Sequence, residues 1–151
     1  MDAESAEYIA SLDGMREEVK NAIRGLDAVR LNWFPIAGIT NSAAVLATHI
    51  AGSESFWVHQ VVGGIDVRRD RDSEFAAQTA TADDLIARLD VVGQTTREVL
   101  SKVDSAALGA TTMPRPGEEP TTIRHAIVHQ IEHMGQHVGH LALTLQLGQS
   151  G

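Results

Sequence analysis

The chain has 151 residues, the size of one domain spanning residues 1–151, and its 43% hydrophobic content is enough to bury a core. A formal net charge of -8 argues against nucleic acid or anionic membrane as a partner, since both need dense Lys and Arg. With no cysteine, disulfides, thiolate nucleophiles and thiolate metal ligands are all excluded.

The N-terminal segment Met1-Asp2-Ala3-Glu4 is acidic and lacks the basic and apolar stretches of a secretory signal. No apolar run approaches the ~18 residues that span a bilayer, so a cytoplasmic protein is expected. The first helix is expected from Ala3 to Arg24, where Tyr8, Ile9, Leu12, Met15, Val19 and Ile23 recur at helical spacing and Gly25 is the stop. Leu26 to Trp33 offers a short extra turn before the Pro35 and Gly38 loop. Thr40-Asn41-Ser42 caps a second helix, Asn41 to Val62, which Gly63-Gly64 ends. Asp66 to Ser73 is too charged for core. Thr81 caps a third helix to Val103, with Leu85, Ile86, Leu89, Val92, Thr96, Val99 and Leu100 on its apolar face. Ser105 to Pro120, rich in proline and glycine, reads as a long loop or small hairpin, and no other strand is expected. The last helix runs from Thr121 to Leu147, closed by Gly148. Four long helices give an all-α, four-helix bundle.

Histidine is over-represented: of seven, five fall between His125 and His140. On the last helix, Ile127, Ile131, Met134, Val138, Leu141 and Leu145 form one narrow stripe, the seam into a core. Measured from that stripe, His137 lies roughly 80° away, His133 roughly 120°, His140 roughly 140°, and His125 and His129 roughly 160°. His133 and His137 therefore flank the core, four residues apart, a spacing that lets two imidazoles share a metal. Three such pairs exist among His125, His129, His133 and His137, so spacing alone does not choose between them.

On the second helix, Val45, Leu46, Ile50, Ser53, Phe56 and Trp57 define an inward face, and His49 falls inside it. A buried imidazole needs partners, because an unsatisfied polar group costs on the order of 1–3 kcal/mol. A lone core histidine is usually satisfied by a hydrogen bond. Here a metal shared with two other imidazoles would also satisfy it. His59 falls off the inward face and is not expected to be a ligand.

Three blocks carry a family resemblance. They are Asn41-Ser42-Ala43-Ala44 through His49-Ile50-Ala51-Gly52-Ser53-Glu54 with Phe56-Trp57 and Val61-Val62-Gly63-Gly64; Arg69-Asp70-Arg71-Asp72-Ser73-Glu74-Phe75; and Ile131-Glu132-His133-Met134-Gly135-Gln136-His137-Val138-Gly139-His140. With these blocks the chain resembles the DinB-like (DinB/YfiT-like) superfamily of four-helix-bundle metal-dependent enzymes over most of its length. The resemblance implies a second-helix histidine joined by an H-x-x-x-H pair on the fourth helix, hence His49, His133 and His137. His133-Met134-Gly135-Gln136 also fits the H-x-G-Q form of other members, which would select His129 with His133; the helical wheel favours His137.

Three neutral imidazoles with open coordination positions suit zinc or nickel, and a water bound there can reach a pKa of about 7. The expected function is a metal-dependent enzyme acting on a small molecule, hydrolase-like or a transferase. The resemblance adds a low-molecular-weight thiol as co-substrate. The alternatives are a non-catalytic metal- or ligand-binding stress-associated module, or a bundle whose histidines never see metal. No general base stands out: Glu54 and Glu132 lie on other faces, while Asp70 and Glu74 read as caps and arginine partners. Arg68, Arg69 and Arg71 could hold an anionic substrate, although solvated surface is the simpler reading. A homodimer is expected from the resemblance and from apolar residues on the first and third helices without obvious partners.

Overall fold

The computed structural model describes residues 1–149; Ser150 and Gly151, the last two positions of the expected 1–151 domain, lie outside the described residues. Helix α1 spans Ala3–Ile23 and α2 is a single turn, Ala28–Leu31. Helix α3 spans Ala43–Glu54 and continues without a break as π-helical turns, Ser55–Val62. A short α4, Arg71–Phe75, precedes α5, Ala82–Leu100. Then come α6, Ser105–Leu108, the two-residue strands β1, Thr111–Thr112, and β2, Thr121–Thr122, and finally α7, Ile123–Gly148.

Side-chain caps set where the long helices begin. Asp2, Ser42, Thr81 and Thr122 each accept a backbone N–H from three residues on, satisfying a donor that the first turn leaves orphaned. Ser42 is thus the member of the Thr40-Asn41-Ser42 cluster that caps. Helix α1 ends where Gly25 takes φ 74, a left-handed conformation that costs glycine little. The proline-rich connection is the small hairpin: β1 and β2 pair antiparallel, Thr111 with Thr122 and Thr112 with Thr121.

The four long helices form the bundle. Helix α1 packs on α5 and α7, and α3 packs on the same two, so α1 and α3 occupy one diagonal and α5 and α7 the other. Leu12, Val19, Ile23, Ile50, Leu89, Leu100, Ile127, Met134 and Leu141 fill the centre. The α7 stripe is largely as its periodicity implies, with Ile127, Met134 and Leu141 buried and Ile131, Val138 and Leu145 packed at its margin.

Helix α3 departs from expectation. Every residue from Ala43 to Glu54 is buried, not one face only. Its small residues let neighbours close in from all sides, so a helix with little amphipathic contrast becomes the central one. Its polar residues are therefore core residues. Glu54 is fully buried, accepting from Arg16 of α1 and from the Thr96 hydroxyl of α5 at 2.5 Å. Arg16 reaches it across Gly93, where a side chain would collide with the guanidinium.

The apolar residues of α1 and α5 are better covered than expected: Tyr8, Ile9, Met15 and Ile86 pack against the core, and Val91 is the exposed exception on α5. Several exposed large apolar side chains lie instead at Val29, Ile36, Ile39, Leu143 and Leu147, the last four lining one cleft. Among the described residues no helix is long and apolar enough to cross a membrane.

Candidate metal centre

Helix α3 presents His49 from the middle of its buried length toward α7, where His133 and His137 stand one turn apart. The three imidazoles converge. His49 Nε2 lies 3.1 Å from His133 Nε2, and His137 Nε2 lies 3.1 Å from the same atom. One ligand-capable atom from each residue falls within 4.8 Å of the other two. Nitrogens bound to one tetrahedral zinc would sit about 3.3 Å apart, so the spacing fits a shared divalent ion.

The far sides of two of the rings, His49 and His133, fix their tautomers. His49 Nδ1 lies 3.0 Å from the Glu74 carboxylate, which can only accept, so Nδ1 carries the proton and Nε2 presents a lone pair. Ser53 donates its hydroxyl hydrogen to Gln130 Oε1 at 2.7 Å, so it accepts from His133 Nδ1 at 3.1 Å. His133 Nε2 is then also a bare lone pair. Two lone pairs facing each other with no hydrogen between them suit a cation. The donor set, neutral nitrogens braced by hydrogen bonds behind them, is one that zinc or nickel accepts.

Electrostatics keep His133 and His137 neutral. Burial pushes His133 down to about 3, with the neighbouring His137 and His49 adding repulsion. Burial likewise takes His137 to about 4, reinforced by His49 and His140. Neutral imidazole is the metal-binding form.

Glu74 is the residue whose role the sequence understated. It does pair with an arginine as expected, with Arg69 Nε and Nη2 each donating at 2.8 Å, but the same carboxylate also holds His49. Burial alone would raise its pKa; the hydrogen bonds from Arg69 and His49 outweigh that and hold it below the usual range. Its approach depends on Gly52, one turn beyond His49: a Cβ there would overlap the carboxylate. The sequence signal was available, because a glycine inside a helix three residues after a candidate ligand marks a close approach. Arg69 also departs from the solvated reading, since only 11% of its side chain is exposed.

The remaining candidates fall outside the trio. His129 packs against Trp57 with ring centroids 4.5 Å apart and the planes tilted by 57°, and His125 is exposed. The exposed His140 touches His137, Nδ1 to Nδ1 at 3.3 Å. His59 lies off the α7 side, but it is buried and faces α5, with Nε2 3.0 Å from Thr96 Oγ1 and 3.2 Å from the Val92 carbonyl. Asp70 caps α4 through the Ser73 N–H, and Glu132 is exposed. Phe75 covers His49 with ring centroids 4.9 Å apart.

Residues 8–146 match the mycothiol-S-transferase family. The chain belongs to that family. Solved structures place this family member in the DinB-like fold. A conserved protein from Enterococcus faecalis superposes with a TM-score of 0.79 at 16% identity, covering 100% of this chain and 99% of that one. A DinB-like protein from Bacillus cereus gives 0.75 at 14% identity, over 94% of this chain and 91% of its own. YfiT from Bacillus subtilis, described as a probable metal-dependent hydrolase with an unusual four-helix bundle topology, gives 0.74 at 15% identity, over 95% and 87%. At such identities the likeness is one of fold. No curated protein matches the chain.

Proposed function

We propose that this family member is a metal-dependent thiol S-transferase whose His49, His133 and His137 hold one divalent ion, zinc or nickel. The observation that carries this is the pair of lone pairs on His49 Nε2 and His133 Nε2, 3.1 Å apart, with His137 Nε2 beside them. Bound there, the ion supplies Lewis acidity that makes a thiol or a water in its open positions nucleophilic near neutral pH.

The chain's own groups then divide the work. Glu74 and Ser53 fix the two tautomers, and Phe75 covers His49. An apolar cleft of about 630 Å³, lined by Trp33, Ile36, Ile39, Leu143, Leu147 and His140, adjoins His137 through His140 and offers room for a small substrate. The chain has no cysteine, so the reacting sulfur comes from a low-molecular-weight thiol, and family membership names mycothiol as the first to try. The proposed compartment is the cytoplasm, where such thiols stay reduced.

Metal analysis of protein purified without a histidine tag should find one equivalent of ion per chain. His49→Ala should abolish that stoichiometric binding, and His125→Ala should leave it intact. Thiol transfer from mycothiol to an electrophile should be lost with chelator and restored by metal. Chelator-sensitive ester or amide cleavage without thiol turnover would replace transfer with hydrolysis. Full activity without bound metal would overturn the reading.

A further inference from the structure

Four arginines, Arg68, Arg69, Arg71 and Arg115, line one cleft of about 380 Å³. They are a third of the 12 basic residues in a chain of net charge -8, gathered from residues 68–71 and from Arg115 onto one spot. Asp66 is the one acidic residue in the lining.

Three of the four guanidinium groups are braced rather than free. Arg115 lies over the Phe56 ring at 4.4 Å from its centroid, with Arg69 at 5.8 Å from the same ring. Arg71 lies over Phe75 at 4.8 Å. Such stacking holds a planar cation in place at little cost in hydration, and it leaves the edge N–H groups available. Arg68 takes φ 46, a left-handed backbone rarely adopted by residues other than glycine.

Local acids offset the charge only in part. Arg69 is committed to Glu74, Arg115 reaches Glu118 with one nitrogen at 2.8 Å, and Arg68 meets Asp66 only at 3.5 Å. Arg71 makes no ion pair among the described residues. Two side chains link the cleft's arginines to His49: Phe75, the platform for Arg71, packs on its ring, and Glu74, the partner of Arg69, holds its Nδ1.

We propose that this cleft binds an anionic group, a carboxylate or a phosphate, on the small molecule that reaches the histidines. Planar forks on aromatic rings match the paired oxygens of either anion. Only the link to the reacting molecule rests on the function proposed above; anion binding itself needs no metal.

The test uses the intact, metal-free protein at low ionic strength. Arginine Nε–H resonances are followed by NMR during titration with inorganic phosphate, with succinate and with glycerol as a neutral control. One saturable site is expected for at least one anion and none for glycerol, and the tighter anion identifies the group. Arg71→Gln and Arg115→Gln should each weaken binding about tenfold or more, while Arg24→Gln, at the exposed end of α1, should leave it unchanged. Absence of saturation with both anions would overturn the proposal. So would equal weakening by Arg24→Gln, which would mean diffuse charge without a site. A protein that binds an anion here but no metal would retain the cleft and lose only the transferase reading.

Discussion

A single carboxylate decides how well His49 is presented. Glu74 is gripped by Arg69 on one side and grips the imidazole on the other, and it fits only because residue 52 has no side chain. Carboxylate partners behind a ligating histidine typically affect metal affinity about 10–100-fold. Glu74→Gln should therefore weaken the bound ion by about that range, measured by competition with a chromogenic chelator. Gly52→Ala should act in the same direction by displacing the carboxylate, although Ala is the better helix former. Unchanged affinity in both variants would reduce Glu74 to a structural partner of Arg69. The convergence of the three histidines was legible: His49 stood out on an apolar face, and the angular order along α7 separated His137 from His129. Glu74 was harder to read, because a loop residue's reach depends on a backbone path that periodicity does not encode.

Among the elements, α3 and its π-helical continuation carry the most polar chemistry into the core. A π turn advances each residue by a smaller angle than an α turn, so a wheel drawn at a constant 100° loses its phase beyond Ser55. That is one reason the burial of His59 against α5 escaped the sequence. Burial holds His59 at about 4, well below its ordinary value of 6.5. The native state thus keeps this ring neutral while the unfolded chain takes up a proton. Stability should fall as pH drops from about 6.5 toward 4 and then level off, with a loss on the order of 3 kcal/mol from this ring. Denaturant midpoints across that pH range should show the loss, and His59→Gln should reduce it by about that amount. In metal-free protein His133 and His137 contribute in the same sense. The all-round burial of α3 was written in its Ala-, Gly- and Ser-rich composition, but a search for one apolar face looks past it.

For the molecule as a whole, the four long helices were legible from periodicity, and the caps fixed most starts within two residues. Which helices touch was not legible, because the long connections permit either a neighbouring or a diagonal placement. The unpartnered apolar surface also lies elsewhere than the helix patterns suggested, on Val29, Ile36, Ile39, Leu143 and Leu147. A homodimer is expected to cover this face. Sedimentation equilibrium should give twice the 16.2 kDa chain mass, and Ile39→Asp with Leu143→Asp should return the monomer. A wild-type monomer at micromolar concentration would leave the face to small-molecule binding alone.

The diagonal arrangement also bears on how the chain reaches this state. The first two long helices meet chiefly through the Arg16–Glu54 pair, so α1 finds its main partners only after α5 and α7 exist. The N-terminal half thus has no self-sufficient helical hairpin, and much of the stabilisation arrives with contacts between distant parts of the chain. High contact order of this kind slows folding relative to an up-and-down bundle. Refolding followed through Trp33 and Trp57 should therefore be slower than the microsecond-to-millisecond range of simple helical bundles, with the isolated segment 1–62 remaining largely unstructured.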